Sequence, residues 1–372
     1  MRDVDLTTIA GVRRYLSNTP FASDTINALT GGFTNFTYRI YLNDSFKGRA
    51  TLVLKYAAPY VAALGAMALS TERQKFDVEA LRLVRKMHAD DDVITVPNVH
   101  LFDEEAHVMI IDDCGTDART LKQLVIDEAL PQTVAEEIGA TIGRFLGRVH
   151  TWNKDASFDM GIFGNNEMGK TISALVTYGR LISTLSGRDN IAALADPGFD
   201  IPEGKLTVIS KLAETRSQEI GSATEVFTHG DFWPGNIMVT LRSDSEGNTL
   251  GLEKLYVLDW EVAKAGLRGL DVGQFCAEMR LLQRFYASRQ EETSEIIRSF
   301  LLAYRGGSGP DEALARVAIA HVGAHLVTWT PRVHWGDKED TRKAVAEGVE
   351  LLIEGAEGTS AWLEGSLVGK LM

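Results

Sequence analysis

With 372 residues, 45% of them hydrophobic and 24% charged, the chain is too long for one small core and has the composition of an ordinary folded protein of two lobes. Its 38 basic and 51 acidic side chains leave a formal net charge of −13, which argues against a nucleic-acid backbone or an anionic membrane as the main partner and is compatible with a cationic small molecule. Cys114 and Cys276 are too few for a disulfide framework, and neither the opening MRDVDLTTIAGVRRYL nor any later run is apolar enough to span a bilayer, so a cytoplasmic enzyme is expected.

Residues 26 to 56 alternate apolar and polar, predicting strands broken at Gly31-Gly32 and at Asn43-Asp44. TERQKFDVEALRLVRKMHA then places Phe76, Ala80, Leu83 and Val84 at helical spacing. VPNVHLFDEEAHVMIID follows as two apolar runs joined by an acidic turn. From about residue 116 the pattern becomes helical: LPQTVAEEIGATIGRFLGRVHTW carries a stripe at Val134, Ile138, Ile142, Phe145, Leu146 and Val149. TISALVTYGRLIS and KLTVISKLAETRSQEI predict further helices. A hairpin, NIMVT and LYVLDW about the polar loop RSDSEGNTLG, interrupts them. Helices resume over LDVGQFCAEMRLLQRFYA, TSEIIRSFLLAY and EALARVAIAHVGAHLVTW. The change near Asp113-Gly115 divides the chain into a β-rich part, 1–115, and an α-rich part, 116–372.

Phosphoryl transfer needs a cradle for the phosphates, a cation upon them, metal ligands and a group that orients the attacking hydroxyl. The sequence offers each in order. Gly31, Gly32, Thr34 and Asn35 lie in a turn between strand-like runs, where backbone N–H groups can face phosphate. Lys55 ends the apolar run TLVLK, and Glu79 on the next helix is the candidate to hold its ammonium, with Glu72 as rival. In HGDFWPGNIMV, Asp231 is the candidate base and Asn236 a candidate Mg²⁺ ligand. Asp259, in YVLDWE, is the other, since Mg²⁺ prefers oxygen donors.

The run HGDFWPGN followed by LDW is similar to the aminoglycoside phosphotransferase and choline kinase group of small-molecule kinases. LVLKY, FDVEALRLV, LGRVHTW and RGLDVGQF also resemble segments of that group, so the likeness covers roughly residues 25 to 335. It implies an α+β, two-lobed protein-kinase-like fold with a small β-rich N-lobe and a larger α-helical C-lobe. It implies that Asp231 is the catalytic base, that Asn236 and Asp259 bind Mg²⁺, and that Lys55 with Glu79 serves the phosphates of ATP. Adenine would lie against IIDDCG, which contains Asp112 and Cys114. The loop GGFTNF departs from the G-x-G-x-x-G of protein kinases. The acceptor is then a hydroxyl of a small molecule such as an aminoglycoside, amino alcohol or thiosugar.

Aromatic and charged residues late in the chain are candidates for the acceptor side: Trp260, Glu261, Trp329, Arg332 and Trp335, the last in the Pro-, Gly- and charge-rich run TPRVHWGDKED. His229 and Asp271 read as braces of the catalytic loop. Two other patterns compete. GNNEMGKT, residues 164 to 171, satisfies the Walker A pattern, but its entry SFDMGIF is no clean strand, so a P-loop NTPase is disfavoured and a Gly-rich surface loop expected. HVGAH lacks the Glu of a zinc helix, leaving His321 and His325 as packing residues. A nucleotide-binding module without turnover would keep the fold, but Lys55, Asp231, Asn236 and Asp259 are all in place.

Overall fold

The computed structural model describes residues 4–372 apart from 31, 66, 88–92, 153–159 and 225. Two compact units emerge: Met1–Ala118 with Tyr256–Glu261, and Arg119–Leu255 with Val262–Met372. The first therefore takes the segment LDWE from far along the chain.

The first unit contains α1 (Ile9–Leu16), β1 (Thr25–Ala28), β2 (Phe36–Phe46), β3 (Arg49–Tyr56), α2 (Arg73–Met87), a short β4 (Ile94–Thr95), β5 (Val99–Asp103) and β6 (Val108–Asp112). Five strands form an antiparallel sheet in the order β1-β2-β3-β6-β5. The break expected at Asn43-Asp44 is absent. β2 continues to Phe46, and the chain reverses at Lys47-Gly48, whose φ values of 49° and 78° suit the twist of a two-residue hairpin. Helix α1 is not evident in the sequence pattern. Thr8 caps it by accepting from the Gly11 N–H, and Val12 and Leu16 join Ile40, Leu52, Leu54, Val108 and Ile110 in one core. Side chains alternate along a strand, so Lys55 points to the face opposite Leu52 and Leu54. That alternation aims a lysine at α2.

The second unit contains β7 (Arg119–Thr120), α3 (Leu121–Asp127), α4 (Gln132–Thr151), α5 (Glu167–Thr177), α6 (Leu181–Leu185), α7 (Glu203–Ser222), β8 (Phe227–Thr228), β9 (Ile237–Ser243), most of β10 (Thr249–Val257), β11 (Lys264–Ala265), α8 (Arg268–Phe285), α9 (Gln290–Ser308), α10 (Glu312–Thr328), α11 (Lys338–Glu357) and α12 (Ser360–Gly365). β9 and β10 form the expected hairpin, β7 pairs with β9, and β11 pairs with β8 through Lys264 and Thr228. Helix α10 is buried nearly all round and packs against both α8 and α11. Among the described residues no helix is long and apolar enough to cross a membrane.

The two histidines of α10 are engaged in packing. The Tyr178 hydroxyl lies 3.0 Å from His321 Nδ1, and His325 Nε2 lies 2.8 Å from Glu278 Oε1. Burial, and next the neighbouring His325, push His321 down to about 3. An unfolded imidazole takes its proton near 6.5, so this residue's contribution to stability is complete above about pH 6.5 and is lost as pH falls toward 3. Between pH 7 and pH 5 that loss is about 2 kcal/mol. Urea unfolding at both pH values should show His321→Gln less acid-sensitive than the parent by that amount. An equal pH dependence in the two proteins would show that His321 is not the group responsible.

Candidate active site

In the first unit Lys55 is the centre of a carboxylate pair. Its Nζ lies 2.8 Å from Asp77 Oδ2 and also bonds Asp259 Oδ1. Burial would favour a neutral amine, but Asp259 and then Asp77 outweigh it and hold the ammonium. Asp77 further accepts from the Trp260 N–H at 3.1 Å, so one carboxylate fixes both the lysine and the backbone beside Asp259. Asp259 itself has φ 60°, the left-handed region, and its carboxylate is about one-third exposed.

The expected Lys55–Glu79 pair is therefore corrected. Glu79 turns outward and pairs with Arg82 at 2.7 Å, and Glu72 is exposed. The reason is helical register. The buried face of α2 runs through Arg73, Gln74, Asp77, Val78, Ala80, Leu81 and Val84, and at 100° per residue Glu79 lies on another face from Asp77. A carboxylate seven residues before Val84 and three before Ala80 was the available signal.

Around the loop before β2, Gly31 lies outside the described residues, and Gly32 is exposed. Thr34 donates to Glu261 Oε1 at 2.8 Å and Asn35 Nδ2 to Oε2 at 2.9 Å. Buried Arg73, unnoticed in the sequence, donates to the Thr34 and Ala58 carbonyls and to Asn35 Oδ1. Burial, and then Asp259, raise the Glu261 carboxyl. Glu261 is thus a brace of the loop rather than an acceptor ligand, and the Thr34 and Asn35 side chains are committed to it. Asp112 is likewise committed. Burial opposes its charge, but His100, Asn98 and Arg49 hold its carboxyl at about 2. Cys114 is half-buried, and burial raises its thiol.

In the second unit Asp231 is held from two sides. Gln274 Nε2 donates to Oδ1 at 2.6 Å, and Asn236 Nδ2 donates to Oδ2 at 3.1 Å and to the Asp231 carbonyl at 3.0 Å. With Nδ2 so used, Oδ1 is the Asn236 atom suited to a cation. The loop is braced from beneath: Asp271 accepts from the N–H groups of His229 and Gly230 at 2.8 and 2.9 Å and lies 3.0 Å from His150 Nε2. His229 Nδ1 accepts from the Asp231 N–H at 3.2 Å. Both residues thus sit as loop braces. Gly230 has φ 84°, and a Cβ there would lie 2.4 Å from Lys264 Nζ and 2.5 Å from the Val262 carbonyl, so no side chain fits. Gln274, three residues after Asp271 on α8, was not noticed in the sequence.

The acceptor candidates divide. Trp260 is fully buried with Nε1 donating to the Val257 carbonyl, so it is core and not a binding wall. Arg332 bonds Asp189, Thr184 Oγ1 and the Thr328 carbonyl, which makes it a staple at the end of α10. Trp329 is half-buried, stacks on His325 and donates to Thr177 Oγ1 at 3.3 Å. Trp335 stacks on Phe285 and lies beneath the Lys122 ammonium. In GNNEMGKT the helix α5 follows a 3₁₀ turn, Gly161–Asn165, rather than a strand. Asn166 and Lys170 are buried, against the expected surface loop, and Lys170 Nζ donates back to the Gly164 carbonyl at 3.2 Å. A P-loop lysine would project to the ligand instead.

The model of the phosphotransferase enzyme family matches residues 25–316. The chain belongs to that family. A 4-hydroxytryptamine kinase of Psilocybe cubensis is 30% identical over 355 residues, 93% of this chain and 92% of that protein. A methylthioribose kinase of Bacillus mycoides (strain KBAB4) is 28% identical over 277 residues, 72% of this chain and 62% of that protein. Among solved structures, an ADP-bound aminoglycoside phosphotransferase, APH(2'')-Ib, superposes with a TM-score of 0.51 at 16% identity, covering 94% of this chain and 99% of that one, which shows a common fold. This phosphotransferase has the protein-kinase-like fold and is a small-molecule kinase with a hydroxyl acceptor.

Proposed function

We propose that the protein transfers the γ-phosphoryl group of ATP, with Mg²⁺, to a hydroxyl of a small amine-bearing molecule. The observation that carries this reading is the clamped carboxylate of Asp231, fixed by Gln274 and Asn236 on a loop that Asp271 ties down. A carboxylate so held can accept the proton of an attacking hydroxyl while that oxygen bonds to phosphorus. Lys55, kept charged by Asp259 and Asp77, is the cation for the phosphates. Asp259, one carboxylate on a left-handed backbone, is an oxygen donor of the kind Mg²⁺ takes, and the Asn236 Oδ1 is assigned to the same cation on its donor chemistry alone. When bound, Mg²⁺ supplies neutralisation of phosphate charge. The 4-hydroxytryptamine kinase, alike across nine-tenths of both chains, supports a hydroxylated amine as acceptor.

ADP release should rise when ATP is supplied with one or more members of a panel of hydroxylated arylalkylamines, amino alcohols, aminoglycosides and thiosugars. A panel in which no compound lifts ADP release above the acceptor-free rate would sink the reading. Calorimetric titration of ATP should show tighter binding with Mg²⁺ in the parent, no such gain in Asp259→Ala, and a reduced gain in Asn236→Ala. If Asp259→Ala keeps the full Mg²⁺ gain, the metal assignment is wrong.

A further inference from the structure

On α8 the residues Asp271, Gln274 and Glu278 lie at spacings of three and four, one polar stripe of the helix. The first braces the catalytic loop and the second holds Asp231. The third, Glu278, is 7% exposed and serves neither task. Its Oε1 lies 2.8 Å from His325 Nε2, and its Oε2 lies 3.1 Å from the ammonium of Lys122 on α3. That ammonium sits 3.9 Å from the ring centre of Trp335 and 5.1 Å from that of Trp233, two residues beyond Asp231. Trp335 is backed by Phe285, its ring centre 5.7 Å away at 26°. Trp233 is folded over Gly235, where a Cβ would come within 2.2 Å of the indole.

Two indole faces and one buried carboxylate are the elements that recognise an organic ammonium group. Here they enclose the protein's own. The Lys122 side chain is 23% exposed against 10% for Glu278, so its flexible stem can carry the ammonium out to water while the carboxylate stays. Exchange of one ammonium for another leaves the charge of the cage unchanged, which keeps the exchange cheap. Glu278 also keeps His325 as a neighbour throughout.

We propose that this cage is the ammonium subsite of the acceptor and that Lys122 is its specificity-determining residue, holding the place until a cationic acceptor displaces it. The proposal rests on the small-molecule kinase reading for the identity of the site, and it adds the class of ligand: an amine whose apolar or aromatic body bears the hydroxyl. It also assigns Lys122 a competitive role. A residue that contacts the acceptor through its ammonium would strengthen binding; one that occupies the acceptor's place weakens it.

The test is calorimetry without nucleotide, using 2-phenylethylammonium and the neutral 2-phenylethanol as probes. Lys122→Met should bind the ammonium at least about fivefold more tightly than the parent and the alcohol about equally. Lys122→Arg, which restores the cation, should show no gain, and Lys122→Met with Glu278→Gln should lose it. An unchanged or weaker affinity for the ammonium in Lys122→Met overturns the proposal. If Lys122→Met does not fold, the parent decides. Its tryptophan emission should shift with the ammonium and not with the alcohol, and Trp335→Leu should lose the shift; no shift in the parent overturns the proposal equally. Phosphate transfer is read separately. A gain in ammonium binding with no acceptor turned over would sink the kinase reading alone, and turnover of amines without the gain would sink this inference alone.

Discussion

Asp231→Asn should fold and bind ATP as the parent does, yet turn over about 10²–10⁴-fold more slowly. The amide has the shape of the carboxylate and its oxygen can still accept from Gln274, while Asn236 Nδ2 loses its bond to Oδ2 but keeps the one to the backbone carbonyl of residue 231. What is lost is the capacity to take a proton. In a loose phosphoryl-transfer transition state the hydroxyl keeps much of its proton until late, which places the expected loss toward the lower end of that span. Single-turnover rates with an accepted substrate, alongside ATP calorimetry, separate chemistry from binding. Equal rates in the two proteins would remove Asp231 from the reaction. Gln274→Ala, which frees one side of the carboxylate without neutralising it, should cost less than Asp231→Asn.

The second large effect concerns the carboxylate that serves Lys55. Asp77→Ala removes one partner of a buried pair, the kind of change that costs about 3–5 kcal/mol. The lower end is expected, because Asp259 remains against the ammonium. The same change also releases the Trp260 N–H, so the backbone next to Asp259 loses its anchor and ATP use should fall with stability. Glu79→Ala, on the exposed face of the same helix, should alter stability by no more than about 0.5 kcal/mol. Urea unfolding of both variants decides between the carboxylates. Comparable losses, or a larger one in Glu79→Ala, would mean that α2 presents a different face to β3.

Legibility differed by the range of the interaction that sets each feature. Within HGDFWPGN the candidate base Asp231, the candidate metal ligand Asn236 and the brace His229 fall in one run of eight residues, so they could be picked out together; that Asn236 also donates to Asp231 could not. The strand lysine was legible too, since a charged residue closing an apolar run needs an anion wherever the strand goes. Which anion was not. Glu72, Asp77 and Glu79 are all carboxylates on one helix, and only the face that α2 buries selects Asp77.

The resemblance and the apolar periodicity carried the class of fold, the strands of the first unit and the main helices of the second. They missed α1, whose signal is a capping Thr8 before a short helix, and α11, whose buried Ala344, Val345, Val349 and Leu352 are diluted by glycine and glutamate. The sequence by itself determined which residues are candidates for phosphoryl transfer and in what order they occur, because a lysine closing an apolar run and Asp and Asn beside a strand are visible without the fold. Only the tertiary structure decided that Glu261 braces Thr34 and Asn35, that Trp260 is core, that Arg332 is a staple, and that Lys122 lies among Trp233, Trp335 and Glu278. Each of those facts joins residues far apart in the chain, and burial and hydrogen-bond partners at such separations are set by packing rather than by any local preference of the residues concerned.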